Sequence, residues 1–511
     1  MWNYNLANVF RNVTKANPSN IALKFAETDY SYSQLDERSD QIASFLNQKG
    51  LKYKDTLVIT SKKTFDTYAT IVACWKLGAA HCFVDRFSPV ERLAKILDVC
   101  QPKMAVTDSE LSKQLSLRPD LLQVDLEELK LKAKIAESLP ANDITGNTAA
   151  YVMFTSGSTG APKGVAITHA QVITFAQWGH DTYQITSHDS LTNLNSLFFD
   201  NSIFDVMVSL LNGASLIPVT REELKNPQAV LRFLESKNVT TWFSVPSLLV
   251  YFLNLGTLKA ECLKSIKRFI FGGEGFPKNK LKELYSIFSE RAKLFNVYGP
   301  TECTCICSSY LITDYDFSPA EINSLAPIGF LAKNFEYLIL DDQLKAVKNG
   351  EVGELYLGGP NVSPGYFNSM TLTTERFVQH PFHQKYRDVY YRTGDLVKFN
   401  ETNSYIYFQG RADDQIKFMG YRIELCEIEY AICTIPDIKE VAVTYGVKEG
   451  HPEITCFLSS QTDKLVIKDS LKKLIPSYMI PRKFIFLEVL PKNANGKINK
   501  KELTGEYYDK T

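Results

Sequence analysis

Helical and strand periodicities take turns through the first four hundred residues, and that alternation restricts the fold more than any other feature of the chain. Residues 34–48 carry apolar side chains at helical spacing (Leu35, Ile42, Phe45, Leu46), and Gly50 then turns the chain. The run Thr-Leu-Val-Ile-Thr at 56–60 reads as a buried strand. The same exchange recurs at 69–77, 103–107, 227–237 and 240–245. A helix between two strands returns the chain to run in its first direction, so such repetition predicts an α/β fold of parallel sheets covered by helices. At 511 residues the chain exceeds what a single core supports, and two or more domains are expected.

The character changes further along. From about 325 to 410, short strands (337–340, 353–357, 405–408) alternate with Gly and Pro turns, which predicts a β-rich subdomain. Beyond 410 the pattern is that of a small α+β unit, with helices at 427–433 and 465–474 and strands at 440–445 and 455–458. The polar stretch Gly410-Arg-Ala-Asp-Asp-Gln415 is the candidate linker. The expected division is a large domain over 1–410 and a small one over 415–511.

Lys+Arg and Asp+Glu both number 57, so no global charge argues for nucleic acid or an anionic membrane as partner. The N-terminus lacks a basic segment followed by an apolar one, and no apolar run is long enough to span a bilayer. Ten cysteines in a chain of this length suit a reducing cytosol, and a cytoplasmic location is expected. Cys303, Cys305 and Cys307 alternate. Alternation suits one face of a buried strand or a set of thiol ligands, and no nearby histidine completes the second.

The run Thr155-Ser-Gly-Ser-Thr-Gly-Ala-Pro-Lys-Gly164 follows the apolar Tyr151-Val-Met-Phe154. Small hydroxyl residues, glycines and one ammonium leave a backbone free to wrap a polyanion. Its spacing is neither that of a P-loop nor that of a dinucleotide fold, and by composition alone such a run is more often a flexible loop. Six further segments carry chemistry: Phe199-Asp-Asn-Ser202, Asn296-Val-Tyr-Gly-Pro-Thr-Glu302, Tyr391-Arg-Thr-Gly-Asp395, Gly410-Arg411, Gly420-Tyr-Arg-Ile-Glu424 and Asn495-Gly-Lys-Ile498. A nucleotide site needs a phosphate cradle, a metal-holding carboxylate, a ribose clamp and a cation at the reacting phosphorus. The segments offer a candidate for each. Taken singly, Asp395 is equally a turn former and Lys497 a solvated surface charge.

In this order the segments, from Tyr32-Ser-Gln-Leu35 to Lys497, resemble the acyl-adenylate-forming (AMP-binding) superfamily. Within it they are similar to the amino-acid-activating domains of nonribosomal peptide synthetases and to D-alanine–carrier-protein ligases. The resemblance implies that Thr155, Ser156, Gly157, Ser158, Thr159, Gly160 and Lys163 form the loop over the β- and γ-phosphates of ATP. It implies Thr301 at the α-phosphate, Glu302 on Mg²⁺, and Asp395 on the ribose with Arg411 nearby. Tyr298 and Phe408 would flank the adenine, and Lys497 would reach the carboxylate and α-phosphate from the small domain. In such enzymes Asp413 is the hinge, within 411–414, about which a mobile small domain rotates. That motion exchanges Lys497 for the 420–424 loop between adenylate formation and thiol transfer.

Asp200 carries the expectation of an amino acid, since its counterpart in amino-acid-activating relatives pairs with the α-ammonium and a buried carboxylate asks for a cation. A helix-capping aspartate is the plainer alternative. The resemblance implies that Asn201, Phe204, Ser244, Ile270, Gly272, Val297 and Cys305 complete the pocket wall. Gly272 stands where the D-alanine ligases carry a cysteine, so with Ser244 it predicts room for a side chain larger than a methyl, and Asn201 and Ser244 are expected to donate hydrogen bonds to a polar group on it. Fourteen residues follow Lys497 and hold no carrier segment. The expectation is a free-standing enzyme that loads the phosphopantetheine thiol of a separate carrier protein. The alternatives are a coenzyme A ligase for a non-amino acid and a catalytically silent nucleotide-binding regulator.

Overall fold

The Thr56–Thr60 strand forms where its apolar run places it, with every residue buried. The computed structural model describes residues 4–136, 139, 143–157, 161–318, 323, 325–448, 451–492 and 498–508. By its internal contacts the chain divides into two units. One comprises Met1–Arg86, Cys100–Met153 and Gly164–Ala412; the other comprises Phe87–Val99, Phe154–Lys163 and Asp413–Thr511.

The first unit is built around two largely parallel sheets and one antiparallel sheet. In the six-stranded sheet, Thr56–Thr60 lies between Ala80–Val84 and Met104–Thr107 and runs parallel to both. The nine-stranded sheet has a parallel centre of Ser215–Pro218, Ser190–Asn193, Thr241–Ser244, Arg268–Gly272 and Lys293–Tyr298. Antiparallel strands Ser308–Leu311 and Phe330–Leu331 extend one side of it. The β-rich segment forms a five-stranded antiparallel sheet from Glu336 to Arg411.

Local signals explain the helix ends. The helix expected at 34–48 starts at Tyr32, because Ser31 accepts from Gln34 N while Gln34 accepts from Ser31 N. This reciprocal cap is visible in the sequence as Ser-x-x-Gln. The Phe65–Leu77 helix starts at a Thr64 cap and stops at Gly78, whose φ of 67° few other residues adopt. Residues Thr67 to Leu77 are buried all round that helix, as befits a core element.

Within the second unit, the Leu425–Cys433 and Lys464–Leu474 helices share a core with Val443, Cys456 and Leu458 of the Ile438–Lys448 and His451–Ser460 strands. The expected linker is shorter than 410–415. Gly410 (φ 131°) and Arg411 prolong the Tyr405–Arg411 strand, and the next strand opens at Gln415.

The three alternating cysteines do not share a strand face. Cys303 ends the 3₁₀ turn Thr301–Cys303, after which Thr304 and Cys305 adopt left-handed φ values of 58° and 74°. Their thiols are buried, and among the described residues they do not converge as metal ligands. No helix among the described residues is long and apolar enough to cross a membrane.

Candidate active site

In a doubly wound sheet the carboxyl ends of parallel strands open onto a crevice suited to ligands. Two adjacent strands of the nine-stranded sheet end here in the expected pocket residues Ser244 and Gly272, and the next carries Val297 one residue before its end. Gly272 pairs in register with Val297, and Ile270 lies two residues earlier on the same face. Asn201 opens a short helical turn next to them, and a Cβ on Gly273 would lie 3.6 Å from its Nδ2. Phe204 is fully buried and packs edge-to-face on Phe243.

Two pocket expectations change. A Cβ on Gly272 would stand 2.3 Å from Val297 O and 2.6 Å from Val297 Cγ2. The bare position is therefore filled by its neighbour and opens no extra room. Ser244 is not a spare donor either: its hydroxyl donates to Val245 O and accepts from Trp242 Nε1.

Asp200 stands at the head of the same turn, and its side chain caps no helix. Its Oδ2 instead accepts from the Thr301 hydroxyl at 2.5 Å. Thr301 and Glu302 reach this place because the chain doubles back after the Lys293–Tyr298 strand. Gly299 makes the fold-back feasible, since a Cβ there would lie 2.3 Å from Cys305 O. Left-handed Thr304 and Cys305 complete the return, conformations that cost about 1 kcal/mol or more each. The Thr304 hydroxyl bond to Asn361 O and the Cys307 N bond to Tyr298 O hold them.

Glu302 is fully buried and tied at both ends. Its Oε1 accepts from the Tyr366 hydroxyl at 2.8 Å, and its main-chain oxygen accepts from Ser363 N. A rigid hard-oxygen carboxylate fits Mg²⁺, which takes one or two protein carboxylates and completes its shell with phosphates and water. Sequence reasoning missed Tyr366. Its only mark there is a Gly-Tyr pair after a Ser-Pro turn.

Asp395 is buried and doubly held: Oδ2 accepts from the Tyr298 hydroxyl and Oδ1 from Arg411 Nη1, both at 2.5 Å. Strand pairing sets Arg411 directly opposite Asp395. Burial, then the Asp395 charge, pushes the Tyr298 phenol well above its ordinary range. Phe408 lies on the same strand as Arg411, paired with Val397 and half-buried.

A second carboxylate in the Asp200 segment also escaped the sequence reading. Asp205 lies in a π-helical turn, Phe204–Val208, with no exposure. Its Oδ2 accepts from Asn193 and Asn195, and its Oδ1 has no hydrogen-bond partner. Burial pushes its carboxyl well above the usual carboxylate range and lowers the nearby Lys63 ammonium, each partly offset by the other's charge. Lys63 Nζ is held by Asn193 O and Val219 O.

In the second unit, Thr155, Ser156 and Lys163 are all buried. Ser156 donates its hydroxyl to Arg422 O at 2.8 Å, and Lys163 Nζ lies 3.9 Å from Glu424 Oε1. Thr155 Oγ1 has no hydrogen-bond partner. A Cβ on Gly157 would lie 1.9 Å from Ala161 O, so no side chain fits at that position. A position closed to side chains at 157 and an unsatisfied hydroxyl at 155 fit a phosphate cradle. Ser158, Thr159, Gly160 and Lys497 lie outside the described residues. Asp413 accepts from Gln415 N.

Residues 10–367 match the model of the AMP-binding enzyme and residues 427–497 that of the AMP-binding enzyme C-terminal domain. The chain belongs to the AMP-binding enzyme family. It is 33% identical over 504 residues to bacitracin synthase 1 of Bacillus licheniformis, a match that takes in 98% of this chain and 9% of that protein. With surfactin synthase subunit 3 of Bacillus subtilis (strain 168) the figures are 32% over 498 residues, 97% and 38%. The AMP-binding chain thus spans only a minor part of these curated relatives.

Solved structures agree in fold. The artificially fused adenylation–PCP di-domain NpsA-ThdA of Klebsiella oxytoca superposes with a TM-score of 0.82 at 24% identity, over 94% of this chain and 93% of that one. The Vibrio cholerae adenylation domain AlmE, solved with glycyl-adenosine-5'-phosphate, gives 0.82 at 23% over 99% and 98%. The o-succinylbenzoate CoA synthetase MenE of Bacillus subtilis gives 0.85 at 22% over 97% and 98%. As an AMP-binding family member the chain belongs to the AMP-binding ligase superfamily, whose adenylating members use ATP.

Proposed function

We propose that this enzyme activates an α-amino acid as its aminoacyl adenylate and passes the acyl group to the phosphopantetheine thiol of a separate carrier protein. The observation that carries the amino-acid reading is Asp200: its carboxylate caps no helix and meets the Thr301 hydroxyl beside the strand ends. A carboxylate so held is suited to an α-ammonium, whose charge offsets the desolvation of both groups.

In the first half-reaction a substrate carboxylate oxygen attacks the α-phosphorus of ATP. The bond to the β-phosphate oxygen breaks, and pyrophosphate departs with the electron pair. In the second, the carrier thiol attacks the acyl carbon, loses its proton to solvent, and AMP leaves. Neither half needs a protein nucleophile, so positioning and charge stabilisation carry the rate. Thr155, Ser156, Gly157, Ser158, Thr159, Gly160 and Lys163 hold the β- and γ-phosphates, Thr301 the α-phosphate, and Asp395 the ribose. Glu302 would hold Mg²⁺, which when bound would supply charge neutralisation on the phosphates. Lys497 meets the developing charge in the first half, and rotation at Asp413 removes it for the second.

Fold likeness to a coenzyme A synthetase supports a second reading, a non-amino acid passed to coenzyme A. ATP–pyrophosphate exchange screened over L- and D-amino acids and simple carboxylic acids separates the two. Exchange driven by an amino acid is the expected result. Exchange driven only by acids without an α-amino group removes the role given to Asp200.

A further inference from the structure

The β-rich sheet carries a group of side chains that the adenylation chemistry leaves unused. His380, His383 and Asp388 lie in the loop joining the Phe377–Gln379 and Val389–Asn400 strands. One ligand-competent atom from each lies within 4.8 Å of the others, and among the described residues no other three His, Cys, Asp or Glu side chains meet in this way.

The loop is braced. Its mouth is closed by the Gln379–Val389 strand pair. The Gln379 side chain donates to His383 O and Tyr386 O and accepts from Asp388 N. His380 N donates to Asp388 O. The His383 imidazole centroid lies 4.6 Å from that of the His380 ring and 4.7 Å from that of the Tyr386 ring. His383 Nε2 lies 3.0 Å from Asp388 Oδ2, while its Nδ1 is buried without a hydrogen-bond partner. His380 Nδ1 accepts from Phe382 N at 3.1 Å. The cluster thus combines carboxylate oxygen and imidazole nitrogen on a frame set by main-chain bonds.

A tetrahedral ion bound at about 2.0–2.1 Å sets its ligand atoms about 3.3 Å apart. The His383–Asp388 pair already has nearly that separation, and the widest one closes by about 1.5 Å. We propose that His380, His383 and Asp388 bind a divalent transition-metal ion of the Zn²⁺ class, separate from the Mg²⁺ of the nucleotide reaction. Two imidazoles and one carboxylate select such an ion over Mg²⁺ or Ca²⁺, which take oxygen ligands. Three protein ligands leave a fourth position to water. The proposal does not depend on which acid is activated.

The test uses the full chain, stripped with chelator and dialysed against Zn²⁺ or Co²⁺ alone. The expected result is about one Zn²⁺ per chain by elemental analysis, and a Co²⁺ spectrum with d–d bands but no thiolate charge transfer. The double variant H380Q/H383Q is expected to lose at least about tenfold in affinity, and D388N to weaken it by a similar factor. Circular dichroism and ATP–pyrophosphate exchange verify that both variants are folded. Equal zinc content in wild type and H380Q/H383Q, a thiolate band in the Co²⁺ spectrum, or no saturable binding overturns the proposal.

Discussion

The Tyr366 hydroxyl and the Glu302 carboxylate are joined by a 2.8 Å hydrogen bond that fixes a fully buried acid to the loop between the Val352–Gly358 strand and the Met370–Arg376 helix. Removing the donor leaves a buried acceptor short of a partner, at about 1–3 kcal/mol. Tyr366→Phe is therefore expected to raise the Mg²⁺ concentration for half-maximal pyrophosphate exchange about tenfold or more. A magnesium titration of both proteins checks this, and an unchanged midpoint would detach Glu302 from the metal.

Asp200→Ala removes the proposed partner of the substrate ammonium. Losing one member of a desolvated charge pair costs about 2–5 kcal/mol, so kcat/KM for the amino acid should fall roughly thirtyfold or more. The loss should sit in KM, with ATP binding preserved. Initial rates over an amino-acid series decide it, and retained affinity would count against the assignment.

Lys497→Ala should abolish adenylate formation while still allowing thiol transfer from preformed adenylate. A single-turnover assay of each half-reaction is the measurement. Equal damage to both halves would rule out rotation at Asp413 as the device that separates them.

Acid should destabilise the protein partly through His169. Its Nδ1 accepts from Leu6 N at 3.1 Å, and burial lowers the imidazole from 6.5 to about 4. The unfolded chain thus takes up a proton near pH 6.5 while the folded chain resists until about pH 4. Stability present above pH 6.5 is withdrawn across that window at about 1.4 kcal/mol per pH unit. His169→Gln should show a shallower fall in Tm between those limits. His81, lowered to about 3 by burial, keeps part of the slope. An unaltered slope in the variant would show that His169 takes no part.

The parallel-sheet architecture was legible because runs such as 56–60 are apolar throughout and short, with helical spacing between them. The cap at Ser31 was equally present in the sequence and went unread. Asp200 was found by its Phe-Asp-x-Ser setting. Asp205 stood five residues further on and passed as part of an apolar run, since nothing local distinguishes it from a surface carboxylate. Its character comes from Asn193, Asn195 and Lys63, which only the folded sheet assembles. The Thr301–Asp200 bond likewise joins residues 101 apart. The three cysteines misled because alternation encodes a strand only where φ stays negative, and Thr304 and Cys305 reverse it.

The register that sets Gly272 against Val297 has an evolutionary corollary. Any side chain gained at 272 meets the main-chain carbonyl of the adjacent strand, so that codon cannot drift independently. On the proposed pocket assignment, substitution at 297 or 305 would alter the choice of acid more readily than bulk at 272, which requires the two strands to move apart first.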